Sequence, residues 1–343
     1  MINFLKIDSY RTIEDATNLY NQRIKDSLDI YYKYHNEFIA RKCYICGSEE
    51  STNVDKYHDS YNIVKCSVCG NIFVNPAPNM EALNDYYENY NSNTMLDKFY
   101  KKRYKRKDDF VINDRISVVL NLIKEINKSE INILEIGCGS GLFLSKLRII
   151  LNEVKVDKKI NFIGIDIDRN AINSNLDNKL NLICSSVEEF TKVNRNKYDI
   201  VLNFELIEHL LDPYEFMIQI HNNLLNDNSY MFFTVPNYNS LDNKGLGYNS
   251  FRLLAHSIFP PMHINSFSNE NILHFAIRSG FNIVEIKSQG KLDVDLLSKS
   301  CNLLNNDELK KVSHMNDETM SVLQYILNLV NGTGNLRCIL KKK

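Results

Sequence analysis

Thirteen consecutive residues, Ile131 to Phe143 (I-N-I-L-E-I-G-C-G-S-G-L-F), restrict what this chain can fold into more than any other stretch. The first half is β-branched and leucine-rich, as a buried strand requires, and Gly137, Gly139 and Gly141 at every second position end it abruptly. A helix is expected from about Leu142, because Leu142, Phe143, Leu144, Leu147 and Ile150 are spaced to cover one face. Strand, glycine turn and helix together make a nucleotide-binding edge. Without Cβ atoms the backbone admits a ligand, and the N–H groups of the first helical turn remain as donors. The spacing is G-x-G-x-G, with Leu142 where a dinucleotide site wants its last glycine, and it suits a pyrophosphate poorly. Glu135, two residues before the first glycine, repels phosphate and suits a ligand carrying an ammonium and a sulfonium.

After the glycine turn, strand-like and helix-like segments alternate, which predicts a doubly wound sheet. Ile160–Asp166 is a second buried strand ending in an acid, and Leu180–Cys184 is a third, followed by Ser186-Val187. Residues 197–213 (K-Y-D-I-V-L-N-F-E-L-I-E-H-L-L-D-P) open with an acid and lead through E-H-L and D-P into a helix. Residues 231–237 (M-F-F-T-V-P-N) form a strand that Pro236, lacking an N–H, stops. Taken together, E-I-G-C-G-S-G, the acid at Asp166, the E-H-L/D-P segment and the terminal P-N resemble the class I S-adenosylmethionine-dependent methyltransferases. The resemblance covers roughly 131–237 and resumes at His263–Ser268 and Ser279–Phe281. It implies a Rossmann-like α/β fold, a seven-stranded methyltransferase sheet whose last two strands pair antiparallel, and S-adenosylmethionine as cofactor. The cofactor-binding set it implies is Glu135, Gly137, Cys138, Gly139, Gly141, Asp166, Ile167, Ser186, Val187 and Asn203. Within that set Asp166 accepts from both ribose hydroxyls and Ser186-Val187 falls at the adenine. Two departures stand out. Asp166 follows Gly137 by more than the ~20 residues usual in nucleotide folds, the excess lying in the charged stretch 152–159. Leu225–Ser229 replaces a Pro-Gly-Gly-like turn with asparagines that tolerate the same backbone.

Upstream, Cys43-x-x-Cys46-Gly and Cys66-x-x-Cys69-Gly have zinc-ribbon spacing, each pair forming a turn that aims two thiolates at a tetrahedral ion. Four thiolates leave no position for water, so the expected Zn2+ is structural. The remaining cysteines are scattered through apolar segments, consistent with a cytoplasmic protein.

The expected organisation is an N-terminal helical segment (1–40), the ribbon (41–78), a helical linker (79–130) and a methyltransferase unit (131–343). The last of these carries a substrate lid at 237–265 and a helical insertion at 291–333. In the first segment the apolar spacing Ile13, Leu19, Tyr20, Ile24, Leu28, Tyr31, Tyr32 marks the face to be buried. Lysine plus arginine at 41 against aspartate plus glutamate at 42 gives a formal charge of -1, which builds in no general attraction to nucleic acid or an anionic membrane. No stretch approaches the ~18 uninterrupted apolar residues of a membrane span. The basic run Lys98–Lys107 (K-F-Y-K-K-R-Y-K-R-K) reads either as a solvated helix surface, flanked as it is by Asp97, Asp108 and Asp109, or as a phosphate-binding face.

Methyl transfer needs the acceptor positioned and its proton removed. Candidates for that base are His209 and Glu205 after the fourth strand, and His263 and Tyr238 bordering the lid. His263 resembles the histidine of nucleotide-sugar C-methyltransferases, which also carry an N-terminal zinc-binding segment. That resemblance implies a small hydroxylated substrate, a sugar or nucleotide-linked sugar of a glycan or natural-product pathway. Two other classes stay open: an RNA base methyltransferase using the ribbon and the basic run, and a non-catalytic zinc-ribbon binding module.

Overall fold

The computed structural model describes residues 12–92, 109–175, 177–249, 257–288, 290–301 and 307–343, together with Lys6 and Met95. The basic run at 98–107 lies outside the described residues, as does His256.

Burial on two faces explains the strand that precedes the glycines. In β4 (Glu130–Ile136), Leu134 and Ile136 join one buried cluster and Ile131 and Ile133 another, the pattern of a central strand with helices on both sides. Around it the sheet runs β5 (Lys159–Asp166), β6 (Asn181–Cys184), β7 (Tyr198–Phe204), β8 (Leu225–Pro236), β9 (Phe281–Ser288) and β10 (Asn335–Lys342), in the spatial order β6-β5-β4-β7-β8-β10-β9. Strands β4 to β8 pair in parallel, and β10 pairs antiparallel with both β8 and β9. Order reverses between β4 and β7, and at such a switch point the strand ends splay to leave a crevice. The asparagine-rich stretch is part of β8: Tyr198 faces Leu225 but Ile200 faces Tyr230, and the excess residues bulge with Asn228 at φ 62°.

Helices α1 (Ile13–Tyr34), α2 (Met80–Asn89), α3 (Phe110–Glu125) and α4 (Leu142–Glu153) precede the second half of the sheet. In α1 the buried face is Ala16, Leu19, Arg23, Asp26, Ser27, Ile30 and Tyr34, while Ile13 and Tyr32 point to solvent at 48% and 72% exposure. Leu19 is buried and Tyr20, Ile24, Leu28 and Tyr31 are half-buried, as the apolar spacing expects, and Asp26 and Ser27 join this face because its wall also offers polar partners. Ser27 Oγ donates to the Pro260 carbonyl, Tyr61 OH donates to the Ser27 carbonyl, and the Ser92 amide donates to Asp26.

The ribbon is a three-stranded antiparallel sheet, β1 (Ser51–Tyr57), β2 (Tyr61–Cys66) and β3 (Ile72–Val74). Its interior is continuous with that of the large sheet: Cys43, Tyr44, Cys66 and Phe73 lie in one buried cluster with Phe233, Phe267, Phe275 and Leu336. The segment expected to be a lid divides accordingly. Residues 241–246 form a short helix, whereas Ile258, Phe259, Met262, His263, Ile264, Asn265, Ser266 and Phe267 are buried. The Val74 amide donates to the Ile264 carbonyl, and Phe73 bridges to Asn265, so this half is seated on the ribbon. The insertion consists of helices Asp293–Cys301, Asp307–Ser313 and Asp317–Leu329 around their own small apolar cluster. Among the described residues no helix is long and apolar enough to cross a membrane.

Candidate functional site

All three turn glycines have positive φ, 73° at Gly137, 54° at Gly139 and 74° at Gly141, but they serve different ends. A Cβ on Gly141 would stand 2.8 Å from Leu182 and one on Gly137 3.2 Å from Leu206, so these two are packing positions. A Cβ on Gly139 would meet nothing within 4 Å; here the backbone faces open space. Cys138 fills a hollow, its Sγ lying 2.7 Å from where a Cβ on Gly164 would be, so glycine in β5 is needed to seat the turn. Asp166, at the end of β5, accepts from the Gly139 amide at 2.7 Å and the Asp168 amide at 2.8 Å.

Polar groups without partners mark the same edge. Glu135 is 4% exposed and its Oε2 has no hydrogen-bond partner; Asn203 is fully buried on β7 with both amide atoms unpartnered. Burial pushes the Glu135 carboxyl well above its ordinary range, with the Asp166 charge adding to it, and burial also raises Asp166. Two desolvated acids beside bare backbone favour a cation-bearing ligand. Next to Asp166, Ile167 is 67% exposed. Ser186 caps the helix Val187–Val193 by accepting from the Glu189 amide, and Val187 is buried beneath it.

Beyond β7 the chain turns sharply, with Glu205 at φ 53°. Glu205 Oε1 accepts from Thr234 Oγ1 at 2.6 Å, Asn335 Nδ2 at 2.9 Å and Arg115 at 3.0 Å, so this oxygen braces β7, β8, β10 and α3. The next acid is different. Glu208 is fully buried and neither carboxylate oxygen has a hydrogen-bond partner, yet Oε1 lies 3.7 Å from His209 Nε2 and 4.0 Å from His263 Nε2. The two imidazoles meet edge to face with centroids 4.7 Å apart, and Tyr87 OH bonds His209 Nδ1 at 3.1 Å. Burial drives Glu208 well above the usual carboxylate range, with Glu205 adding to it, and drives His209 well below the usual imidazole value, with His263 adding to it. Near neutral pH this favours an uncharged His209 beside an acid poised to exchange a proton.

The structure thus unites His209 and His263, holds Glu205 in a brace, and places Tyr238 to one side, its hydroxyl 2.8 Å from that of Tyr248. Sequence reasoning passed over Glu208, although it stands in the quoted E-H-L. It also missed the devices that fix this turn. Asn265 Nδ2 donates to the carbonyls of Glu208 and Leu210, and Arg41 donates to Leu211 and Ile264 carbonyls and to Asn265 Oδ1.

In the ribbon, the Sγ atoms of Cys43 and Cys69 are 3.5 Å apart, as are those of Cys46 and Cys66, and all four converge within 4.8 Å. Tetrahedral zinc–thiolate bonds of about 2.3 Å place sulfurs at such separations, so the four fit a zinc ion.

The family described as "Methyltransferase domain" matches residues 106–286, more than half of the chain. The ubiquinone biosynthesis O-methyltransferases of Rickettsia bellii strains OSU 85-389 and RML369-C are each 32% identical over 145 residues, covering 36% of this chain and 55% of theirs. The chain therefore spans about half the length of the curated relatives it matches. Among solved structures, the plantazolicin methyltransferase BpumL in complex with a pentazolic desmethylPZN analog and SAH is similar at TM-score 0.49 and 17% identity, over 76% of this chain and 94% of that one. A SAM dependent methyltransferase from Archaeoglobus fulgidus is similar at TM-score 0.43 and 19% identity, over 71% of this chain and 99% of that one. With a seven-stranded mixed sheet, a glycine turn at its switch point and a family match across more than half its length, the chain belongs to the methyltransferase-domain family, in the class I S-adenosylmethionine-dependent group.

Proposed function

We propose that this protein methylates a small hydroxylated acceptor, within that class a sugar or nucleotide-linked sugar. One observation carries the proposal: Glu208, buried without a hydrogen-bond donor, is flanked by His209 and His263 at the same sheet edge as the open glycine turn. When bound, S-adenosylmethionine supplies a methyl group on a positively charged sulfur, already a strong electrophile. Gly139 would give it a backbone floor, in a turn that Gly137, Cys138 and Gly141 seat on the sheet; Asp166 would accept from its ribose, and Ile167, Ser186 and Val187 would border its base. Glu135 and Asn203 offer their unpartnered atoms to its polar end. The acceptor hydroxyl must lose a proton as its oxygen gains the methyl, and the Glu208–His209–His263 cluster takes that proton. Tyr238 and Tyr248 border the acceptor side. The four cysteines hold a structural zinc. The sugar assignment draws support from the resemblance of this ribbon-plus-site layout to that of nucleotide-sugar C-methyltransferases.

The proposal is tested by incubating purified protein with labelled cofactor and a pool of nucleotide sugars and extracted glycans, then reading by mass spectrometry which acceptor gains a methyl. Incorporation into none of these, with incorporation into RNA instead, would overturn it. The cofactor floor has its own test. Gly139→Val adds a side chain that meets open space and not the core, at a backbone cost of about 1–3 kcal/mol. The variant should fold, with cofactor affinity weakened at least about tenfold by calorimetry; unchanged affinity would remove the floor from the site.

A further inference from the structure

Arg23 is a buried charge that methyl transfer leaves without a role. It lies on the inner face of α1 at 6% exposure, with its guanidinium carbon 4.9 Å from the centroid of the Phe259 ring. Among the described residues it has neither an ion pair nor a hydrogen bond, and the acid one turn along, Asp26, has its oxygens occupied by Gln22 Nε2 and the Ser92 amide. Asp26 lends its charge from one turn away but does not touch the guanidinium, and a buried guanidinium that no carboxylate contacts leaves its donor fork open to an anion.

The surroundings say where that anion sits. Phe259, under the guanidinium, packs against the His263 ring with centroids 6.3 Å apart, and His263 meets His209. Arg23 therefore stands one aromatic ring away from the cluster that takes the acceptor proton. On its other side Phe259 packs against Tyr57, 5.8 Å between centroids, whose hydroxyl is buried and has no hydrogen-bond partner. Arg23 also contributes to holding His209 in its neutral form, after burial and His263, so its field reaches the cluster. A cationic fork over the Phe259 ring, with the unpartnered Tyr57 hydroxyl on a residue packed against the same ring, matches the paired oxygens of a phosphate or carboxylate.

We propose that Arg23 and the Tyr57 hydroxyl form an anion subsite of the acceptor pocket, gripping a phosphate or carboxylate of the molecule whose hydroxyl is methylated at Glu208–His209–His263. This rests on the acceptor reading above and adds to it the charge that the acceptor carries.

The test is calorimetric titration of the full chain, saturated with S-adenosylhomocysteine at fixed ionic strength, against sodium pyrophosphate in one arm and malonate in the other. One-site binding of either anion is expected, and the tighter arm assigns phosphate or carboxylate. Arg23→Gln should weaken it at least about tenfold, with Arg23→Lys, which keeps the charge and loses the fork, in between. Tyr57→Phe should weaken it by a smaller factor. Thermal melts check that each variant is folded, and Arg23→Lys carries the comparison if Arg23→Gln is not. No binding of either anion by the wild type, or equal binding by the Arg23 variants, which would mean an adventitious ion only, overturns the subsite. Because binding and not turnover is read, an Arg23-dependent anion site in a protein that methylates no hydroxylated acceptor would count against the function proposed above and leave the subsite standing.

Discussion

Replacing Cys66 with Ser, or stripping the chain with a strong chelator, is expected to abolish methyl transfer and lower the melting temperature by about ten degrees or more. A structural zinc contributes on the order of 10 kcal/mol, as much as the whole stability of many proteins. Here the loss cannot stay local. Asn271 Nδ2 donates to Asn71 Oδ1 at 2.8 Å, Arg278 donates to the Tyr44 and Ile45 carbonyls at 3.0 and 3.2 Å, and Ser266 Oγ donates to the Ile72 carbonyl at 2.5 Å. Tyr44 OH donates to the Ser266 carbonyl. These bonds span the sequence from Tyr44 to Ile72 on one side and from Ser266 to Arg278 on the other, and His263 lies three residues before Ser266. Calorimetry and labelled methyl transfer, before and after chelation, check the outcome. A chelated protein with an unchanged melt and rate would show that the four sulfurs need no metal.

Glu208→Gln is expected to lower kcat by about 10²–10⁴-fold, the usual contribution of a proton-transfer group, with cofactor affinity unchanged. Glutamine keeps the shape and cannot take the proton. Burial raises the Glu208 carboxyl, so in the wild type the ionised fraction, and with it turnover, should rise as pH increases through that elevated value. The variant should lose that limb. Stability should move the opposite way. An acid whose folded value exceeds its unfolded one leaves the folded state holding the extra proton, so wild-type stability falls as pH rises between the two values. The variant should lack this slope. A rate within a few-fold of wild type would exclude Glu208 from proton transfer.

What the sequence disclosed follows from how local each signal is. The strand before Gly137 and the acid at Asp166 are written in adjacent residues, and each sits where its pattern placed it. The seven strands and the antiparallel pairing of the last two followed from the family resemblance, which those same residues carried. The Glu208–His263 contact joins residues far apart in the chain, brought together by Asn265 and Arg41, and neither of these has a local signature. In α1 the apolar spacing missed part of the inner face, because Arg23 lies over Phe259, and Asp26 and Ser27 bond to Ser92 and Pro260, all far away in the sequence. Residues 257–267 look like a loop by composition, and it is the ribbon packed beneath them that buries them.

The continuous interior shared by the cysteine knuckles and the parallel strands has an evolutionary corollary. A ribbon that shares its core with the sheet and holds residues 264–278 cannot be exchanged as a cassette, since any transplant would have to carry those residues along with it. New acceptor preferences in such a lineage would arise by paired drift on both sides of that seam, with each step vetted first by whether the protein still holds together.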